Sequence, residues 1–375
     1  MRTRARVITG ILAAVLLVGV PVGLLLRAHR PWYRVTILPS LGDEGTFPAA
    51  VNEQGQVAGW AEFKDGSHHL FLWSRAAGMQ DLGPIAVISD RPWEKSTSGL
   101  NDRGQIASTM VDPHGDKRAF LRDPNGAREV LGTLGGRESV AWSVNNVGQV
   151  VGWAQTASGA RHAFVWDRRA GMRDLGTLGG TGSEARFIND AGQIFGFTDV
   201  PGWSDSWPCL WDLPPGSPAL RLPSTCFYDL NRHGASVGQV RLSGEISSMV
   251  IWQKSGDPQE LFRIDSRLGT VLIDRRAQVN DVNQVVFTEI HSPVFRLLGK
   301  RFHTPEYFVS CLWDPARGRI PLNAHAPHRR GEQFYAIDLN NQSCIVGLLH
   351  SPEHKPGRPV LLEPIPKRWG KRPER

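Results

Sequence analysis

Short stretches in which apolar and polar residues alternate, broken by glycine, asparagine and aspartate, recur along most of the chain and predict many strands and turns. The best copy reads SVAWSVNNVGQVVGW from Ser139 to Trp153 and HAFVW from His162 to Trp166, preceded by LGTLGG from Leu131 to Gly136. The next copy runs DLGTLGG, SEARFINDAGQIFGF and CLW between Asp174 and Trp211. At the centre of each copy an apolar residue is followed by Asn-x-x-Gly and a further apolar strand. This element begins at Asn52, Asn101, Asn145, Asn189, Asn231 and, in varied form, Asn280 and Asn340. An asparagine side chain at the first turn position caps the turn through its own backbone, and glycine at the fourth accepts a positive φ, so each copy predicts a hairpin. Asn283 and Ser343 replace that glycine in the last two copies.

The asparagines are spaced by 49, 44, 44, 42, 49 and 60 residues. A strand that usually ends in tryptophan gives an independent count of seven, at Trp73, Arg122, Trp166, Trp211, Trp252, Trp313 and Leu362. A short strand around x-Leu-Gly precedes each hairpin, and Leu38 stands 14 residues before Asn52 as Leu131 stands before Asn145. Each unit therefore has four strands: A ending at the asparagine, B after the turn, C ending at tryptophan, and D around x-Leu-Gly. Four short antiparallel strands in a period of about 40 to 50 residues mark a β-propeller blade. The expected fold is all-β, a seven-bladed β-propeller of four-stranded antiparallel blades. The lone strand Val35 to Leu38 is expected to complete the last blade and close the ring, leaving no free sheet edge there.

The recurring DLGTLGG, INDAGQIFG and HAFVW resemble the HAF-type extracellular repeat of bacterial surface and secreted proteins, over about Val35 to Leu362. The strand order also resembles the kelch propeller, within the WD40-like architectures. The resemblance implies export and a propeller-like array, and carries no catalytic residues to transfer. The later copies depart from it by losing Gly-Gly and His-Ala-Phe.

Ahead of the repeats, Val7 to Leu26 is an uncharged run of 20 residues bracketed by arginines. At about 1.5 Å per residue it matches the roughly 30 Å core of a bilayer. It is longer than the apolar part of a secretory signal, about 7 to 15 residues, and runs into Arg27 without a small-x-small site. An uncleaved signal anchor, a single transmembrane helix, is favoured over a cleaved signal; both imply export, with the propeller outside the cytoplasm. The expected organisation is 1–31 anchor, 32–364 propeller and 365–375 basic tail.

Composition adds little to this. The 40 glycines, 26 prolines and 13 tryptophans suit strands and turns. The formal charge of +7 is concentrated at the two ends, which makes nucleic-acid binding a poor reading. Cys209, Cys226, Cys311 and Cys344 lack C-x-x-C or histidine spacing, which dismisses a zinc ribbon. Cys209 and Cys311 occupy the slot of Phe71, Phe120 and Phe164, so buried thiols are expected.

Candidate chemistry falls in three places. The B–C and D–A connections are long and variable, and binding residues concentrate on such loops over a rigid scaffold. Those of blades six and seven carry His291, His303, His325, His328, His350 and His354 with Arg296, Lys300, Arg301, Arg329, Arg330 and Lys355. Solvated polar loops, an anion-binding patch and a metal site at His325 and His328 remain open. Second, positions two and four before each asparagine are expected to share a face by strand alternation. Small in early blades, they become Asp229, Arg276, Gln278 and Asp338 later, a polar cluster for a small ligand or a structural set of ion pairs. Third, Trp203 and Trp207 lie outside the tryptophan register, in face loops, and could stack on a glycan or contact a partner. The tryptophans that close strand C are expected in the core.

G-x-S-x-G, H-E-x-x-H, P-loop and strand-to-helix G-x-G-x-x-G patterns are missing. The expected function is a non-catalytic exported binding or scaffold module, monomeric and without a cofactor. Its expected partner is a surface or secreted protein, a glycan or an anionic ligand. The alternative is an extracellular propeller enzyme, a glycan or peptide lyase or hydrolase, using the channel cluster or the loop face.

Overall fold

The computed structural model describes residues 32–86, 88, 99–199, 207–211, 220–221, 225–243, 246–253, 258–265, 270–292, 294–297, 300–303, 307–323, 332–351 and 354–365. The expected transmembrane segment, Trp203, His325 and His328 lie outside these residues. Among the described residues no helix is long and apolar enough to cross a membrane.

Seven four-stranded antiparallel sheets form the blades of a β-propeller. Blade three shows the plan: Gly135–Val144, Val150–Thr156, Arg161–Asp167 and Gly171–Asp174, each strand paired with the next. The seventh sheet takes Gln333–Leu339, Ile345–Ser351 and His354–Pro364 from the end of the chain and Tyr33–Ile37 from its beginning. Because successive strands are antiparallel, every A–B and C–D turn lies on one face, the turn face, and every B–C and D–A connection on the other, the loop face. The 60-residue interval between Asn280 and Asn340 holds an extra hairpin, Val294–Leu297 with Lys300–His303, inserted between strands B and C of blade six.

The apolar cores lie between blades. Val151, Ala163 and Val165 of blade three pack against Ala185, Ile194, Cys209 and Trp211 of blade four. Cys209 and Cys311 are fully buried in the phenylalanine slot, and Cys344 is buried as well. Trp73, Trp166 and Trp211 are core residues, whereas Trp252 and Trp313 are half-buried. The glycine of strand B has a packing reason. A β-carbon on Gly152 would meet the Val140 carbonyl oxygen at 1.9 Å and the Phe164 ring at 2.9 Å. The histidine of the His-Ala-Phe triplet pairs with the aspartate of Asp-Leu-Gly on strand D, His162 Nδ1 lying 2.8 Å from Asp174 Oδ2; in blade one, where the triplet reads His-Leu-Phe, His69 Nδ1 lies 2.9 Å from Asp81 Oδ2.

The seven asparagines make one cyclic network. Each caps its own turn: Asn101 Oδ1 accepts from the Arg103 and Gln105 amides at 3.0 and 2.9 Å. The fourth turn position has a positive φ throughout, including Asn283 at 61° and Ser343 at 60°. Each asparagine also donates its side-chain amide to the backbone carbonyl of the next: Asn52 to Asn101, then Asn145, Asn189, Asn231, Asn280, Asn340 and back to Asn52, at 2.8 to 3.1 Å. All seven are buried.

Asn101→Ala removes three bonds within the turn and one interblade bond at a buried site, and is expected to cost roughly 2 to 4 kcal/mol. Asn101→Asp keeps the turn acceptor but puts an oxygen against the Asn145 carbonyl. Urea denaturation should show it destabilised as well; full stability of the aspartate variant would mean that the interblade bond is inconsequential.

Candidate functional site

Strand A is the innermost strand of every blade, so its channel edge would carry unpaired backbone groups unless something else supplies partners. The asparagine ring supplies one layer of partners. A second layer comes from the residue after each asparagine, whose backbone amide donates to the corresponding side chain of the next blade. Glu53 donates to Asp102, Asp102 to Asn146, Asn146 to Asp190, Arg232 to Asp281, Asp281 to Asn341, and Asn341 to Glu53, at 2.7 to 2.9 Å. Blade four breaks the series because Arg232, its neighbour, has no side-chain acceptor.

These two layers line an open basin of about 190 Å³ at the turn-face mouth of the channel. Glu53, Asp102, Asp190 and Asp281 give it an acidic rim, and Arg232 braces it. The Arg232 guanidinium lies 2.6 Å from Asp281 and 3.7 Å from Asp102, which belongs to blade two, so it spans the mouth. Burial and the charges of Asp102 and Asp281 raise the Glu53 pKa, against the Asn341 amide bond and Arg232, which lower it. Among the described residues no three His, Cys, Asp or Glu side chains are grouped to hold a metal ion.

Deeper in the channel, the structure revises the expected cluster. Strand A carries a bulge in most blades, with register shifts such as Ala141/Ser143, Ala185/Phe187, Phe227/Asp229 and Ala336/Asp338. The extra residue breaks the alternation, so positions two and four before the asparagine do not share a face. Ala141, Ala185 and Ala336 are buried between sheets, while Ser143, Asp229, Gln278 and Asp338 are half-buried. Arg276 lies in the irregular stretch between Ile273 and Ala277, and its side chain is outside the described residues. Asp229, Gln278 and Asp338 stand two residues before the asparagine on consecutive blades. Asp229 Oδ2 accepts from the Val279 amide and Asp338 Oδ2 from the Val51 amide, both at 2.8 Å. Each carboxyl thus binds the inner strand of the following blade.

Burial pushes the Asp229 carboxyl up to about 7, against the lowering effect of its backbone hydrogen bonds. Burial likewise raises Asp338 to about 8, and the charges of Asp229 and Glu53 add to the rise. Trp207 also differs from its expected place. It opens strand C of blade four, Trp207–Trp211, opposite Thr198, because Trp207, Cys209 and Trp211 follow one strand alternation. The asparagine side-chain amide and the residue after it were legible as turn chemistry only; their regular recurrence was the available sign of a ring.

No family model and no curated protein matches the sequence. Solved propellers resemble the fold. The β-propeller domain of the Trilobed protease from Pyrococcus furiosus aligns with a TM-score of 0.54 at 9% identity, over 85% of this chain and 95% of that one. Acylaminoacyl peptidase from Pyrococcus horikoshii gives 0.52 at 11% identity, over 84% of this chain and 51% of its own. An oligogalacturonate lyase in complex with manganese gives 0.52 at 11%, over 89% and 92%. Identities this low establish the architecture alone: the protein is a seven-bladed β-propeller.

The raised carboxyls fix how stability depends on pH. Unfolded aspartate titrates near about 3.9, so between there and about 7 to 8 the folded chain holds more protons than the unfolded one. Stability contributed by the protonated carboxyls is full below the unfolded value and is lost as pH rises towards the folded values. Asp229→Asn with Asp338→Asn, which keeps an acceptor oxygen at each site, is expected to raise the melting temperature progressively from pH 4 to pH 8. The limit is about 1.4 kcal/mol per pH unit per group. A gain that does not vary with pH in thermal melts would contradict this.

Proposed function

We propose that the protein is a non-catalytic, exported binding or scaffold propeller, held at the membrane by an N-terminal signal anchor, that presents its loop face to a surface or secreted protein, a glycan or an anionic ligand. One observation carries this reading: the polar groups of the channel already serve the blades. Asp229 and Asp338 each accept a backbone amide of the following blade, the asparagines close a ring, and Arg232 spans the mouth. A substrate entering there would have to compete with the bonds that align the strands. The long connections on the opposite face vary in sequence from blade to blade, as binding loops on a rigid scaffold do. On this reading the repeat is of the HAF type, and the propeller acts outside the cytoplasm as a monomer without a cofactor.

Ring closure by the N-terminal strand belongs to the same proposal. It is supported by the register of Tyr33–Ile37 against His354–Pro364, from Tyr33 opposite Pro364 to Ile37 opposite Val360. The enzymatic alternative has one observation in its favour, the two channel carboxyls with displaced pKa values, since acid–base chemistry on a glycan uses such pairs.

Replacing residues 293–306 by an Asn-Gly turn is expected to abolish binding of the full chain on glycan and surface-protein arrays without lowering its melting temperature. Asp229→Asn with Asp338→Asn should leave that binding intact. Release of product from polysaccharide or peptide pools by the wild type, but not by the double aspartate variant, would establish the enzyme instead. Removing residues 32–41 is expected to abolish the single cooperative unfolding transition in calorimetry; a truncated chain as stable as the full one would refute closure by this strand.

A further inference from the structure

The two ends of the described chain leave the fold side by side. Tyr33 pairs with Pro364, and the Ile365 amide donates to the Trp32 carbonyl at 2.8 Å. Strand His354–Pro364 is a C strand and runs towards the turn face, while Tyr33–Ile37 starts there and runs away from it. Both exits therefore lie at the turn face of blade seven, where Glu363 meets Arg75 from the C–D turn of blade one at 2.5 Å. Beyond the N-terminal exit, only residues 27–31 separate Trp32 from the apolar run that ends at Leu26. Five residues reach at most about 18 Å when fully extended. Beyond the C-terminal exit the sequence is PKRWGKRPER, with five cations (Lys367, Arg368, Lys371, Arg372 and Arg375), one acid and Trp369.

A second observation concerns the surface between those exits. The outermost residue of the asparagine turns, the third of each, is Gln, Arg, Val, Ala, His, Val and Gln in blades one to seven, and all seven are exposed. None is a carboxylate. Val147 and Val282 project from this face with 55% and 53% of their surface open. The acids of the turns stand one residue back, where Glu53, Asp102, Asp190 and Asp281 each accept a backbone amide of the preceding blade and Arg232 meets Asp281.

We infer that the propeller lies with its turn face against an anionic lipid bilayer. The C-terminal tail binds headgroups beside the point where the N-terminal segment enters, and the loop face points away from the membrane. A basic segment held next to an anionic surface is attracted within about a Debye length, and tryptophan partitions to the interface. The outermost positions of the asparagine turns, neutral or basic and partly apolar, can meet that surface while the acids of the rim stay one residue back. The orientation rests on the signal-anchor reading, whereas the tail's affinity for anionic lipid does not.

The test reconstitutes the full chain into vesicles of phosphatidylglycerol and phosphatidylethanolamine, or of phosphatidylcholine alone. Single reporters are Val282→Cys on the turn face and Val111→Cys at the loop-face end of its strand, where it is 53% exposed. Wild type, with the three described thiols buried, serves as the labelling blank. Maleimide-polyethylene glycol should label Val282→Cys at least about tenfold more slowly on phosphatidylglycerol vesicles than in detergent, with Val111→Cys unchanged. Reversing Lys367, Arg368, Lys371 and Arg372 to glutamate should remove that protection while carbonate-resistant retention persists. Equal labelling of the two reporters, or protection of Val111→Cys, would overturn the orientation. If carbonate releases the wild type, the anchor reading fails by itself. The tail is then decided by flotation: binding to phosphatidylglycerol vesicles that the charge reversal abolishes upholds it, and flotation indifferent to the reversal refutes it.

Discussion

The structure depends on how seven inner strand edges are satisfied where they converge. A blade pairs its inner strand on one side only, so a propeller concentrates unpaired amides and carbonyls around its axis, where burial makes each of them costly. Here one asparagine per blade meets that demand twice, through an oxygen that caps its own turn and an amide that donates to the next blade. Because the seven donations form a cycle, displacing any blade strains its neighbours. The residue after the asparagine repeats the device one layer further out, and Asp229 and Asp338 repeat it one layer further in.

This economy shapes what the protein can do. The polar residues that look most like chemistry, two aspartates in a channel and an acidic rim, are tied to backbone groups of adjacent blades. The raised carboxyls of Asp229 and Asp338 follow from burial between strands, a consequence of architecture. Arg232 balances the rim from above and also marks the break in the second layer between blades four and five. The turn face is consequently occupied with alignment, while the hairpin Val294–Leu297 and Lys300–His303 and the long connections vary on the other side. The ends of the described chain, Trp32 and Ile365, leave side by side at the turn face, opposite the variable connections.

Much of the architecture was legible because a blade is specified locally. Alternation sets the strands, Asn-x-x-Gly sets the hairpins, and a count of either yields seven. The same local signals account for the buried Cys209 and Cys311, which substitute for phenylalanine in an otherwise constant slot. The candidate cluster was less legible. Strict alternation placed positions two and four before each asparagine on one face, but a bulge between them, as at Ala141/Ser143 and Ala336/Asp338, puts them out of phase, and such an irregularity leaves no mark in a hydrophobic pattern. Trp207 was misplaced for the opposite reason, since a strand without the His-Ala-Phe triplet does not announce its start.

By itself, the sequence determined the number of blades, their strand order and the turn conformations, because each follows from contacts between residues close in the chain. Tertiary structure alone decided what those turn residues do for one another. The bonds from Asn340 to Asn52 and from Arg232 to Asp102 join positions 288 and 130 residues apart. Nothing in the local pattern states which carbonyl or carboxylate will stand across the axis. That is set by the packing of seven blades around it, which turns seven separate turn caps into a ring.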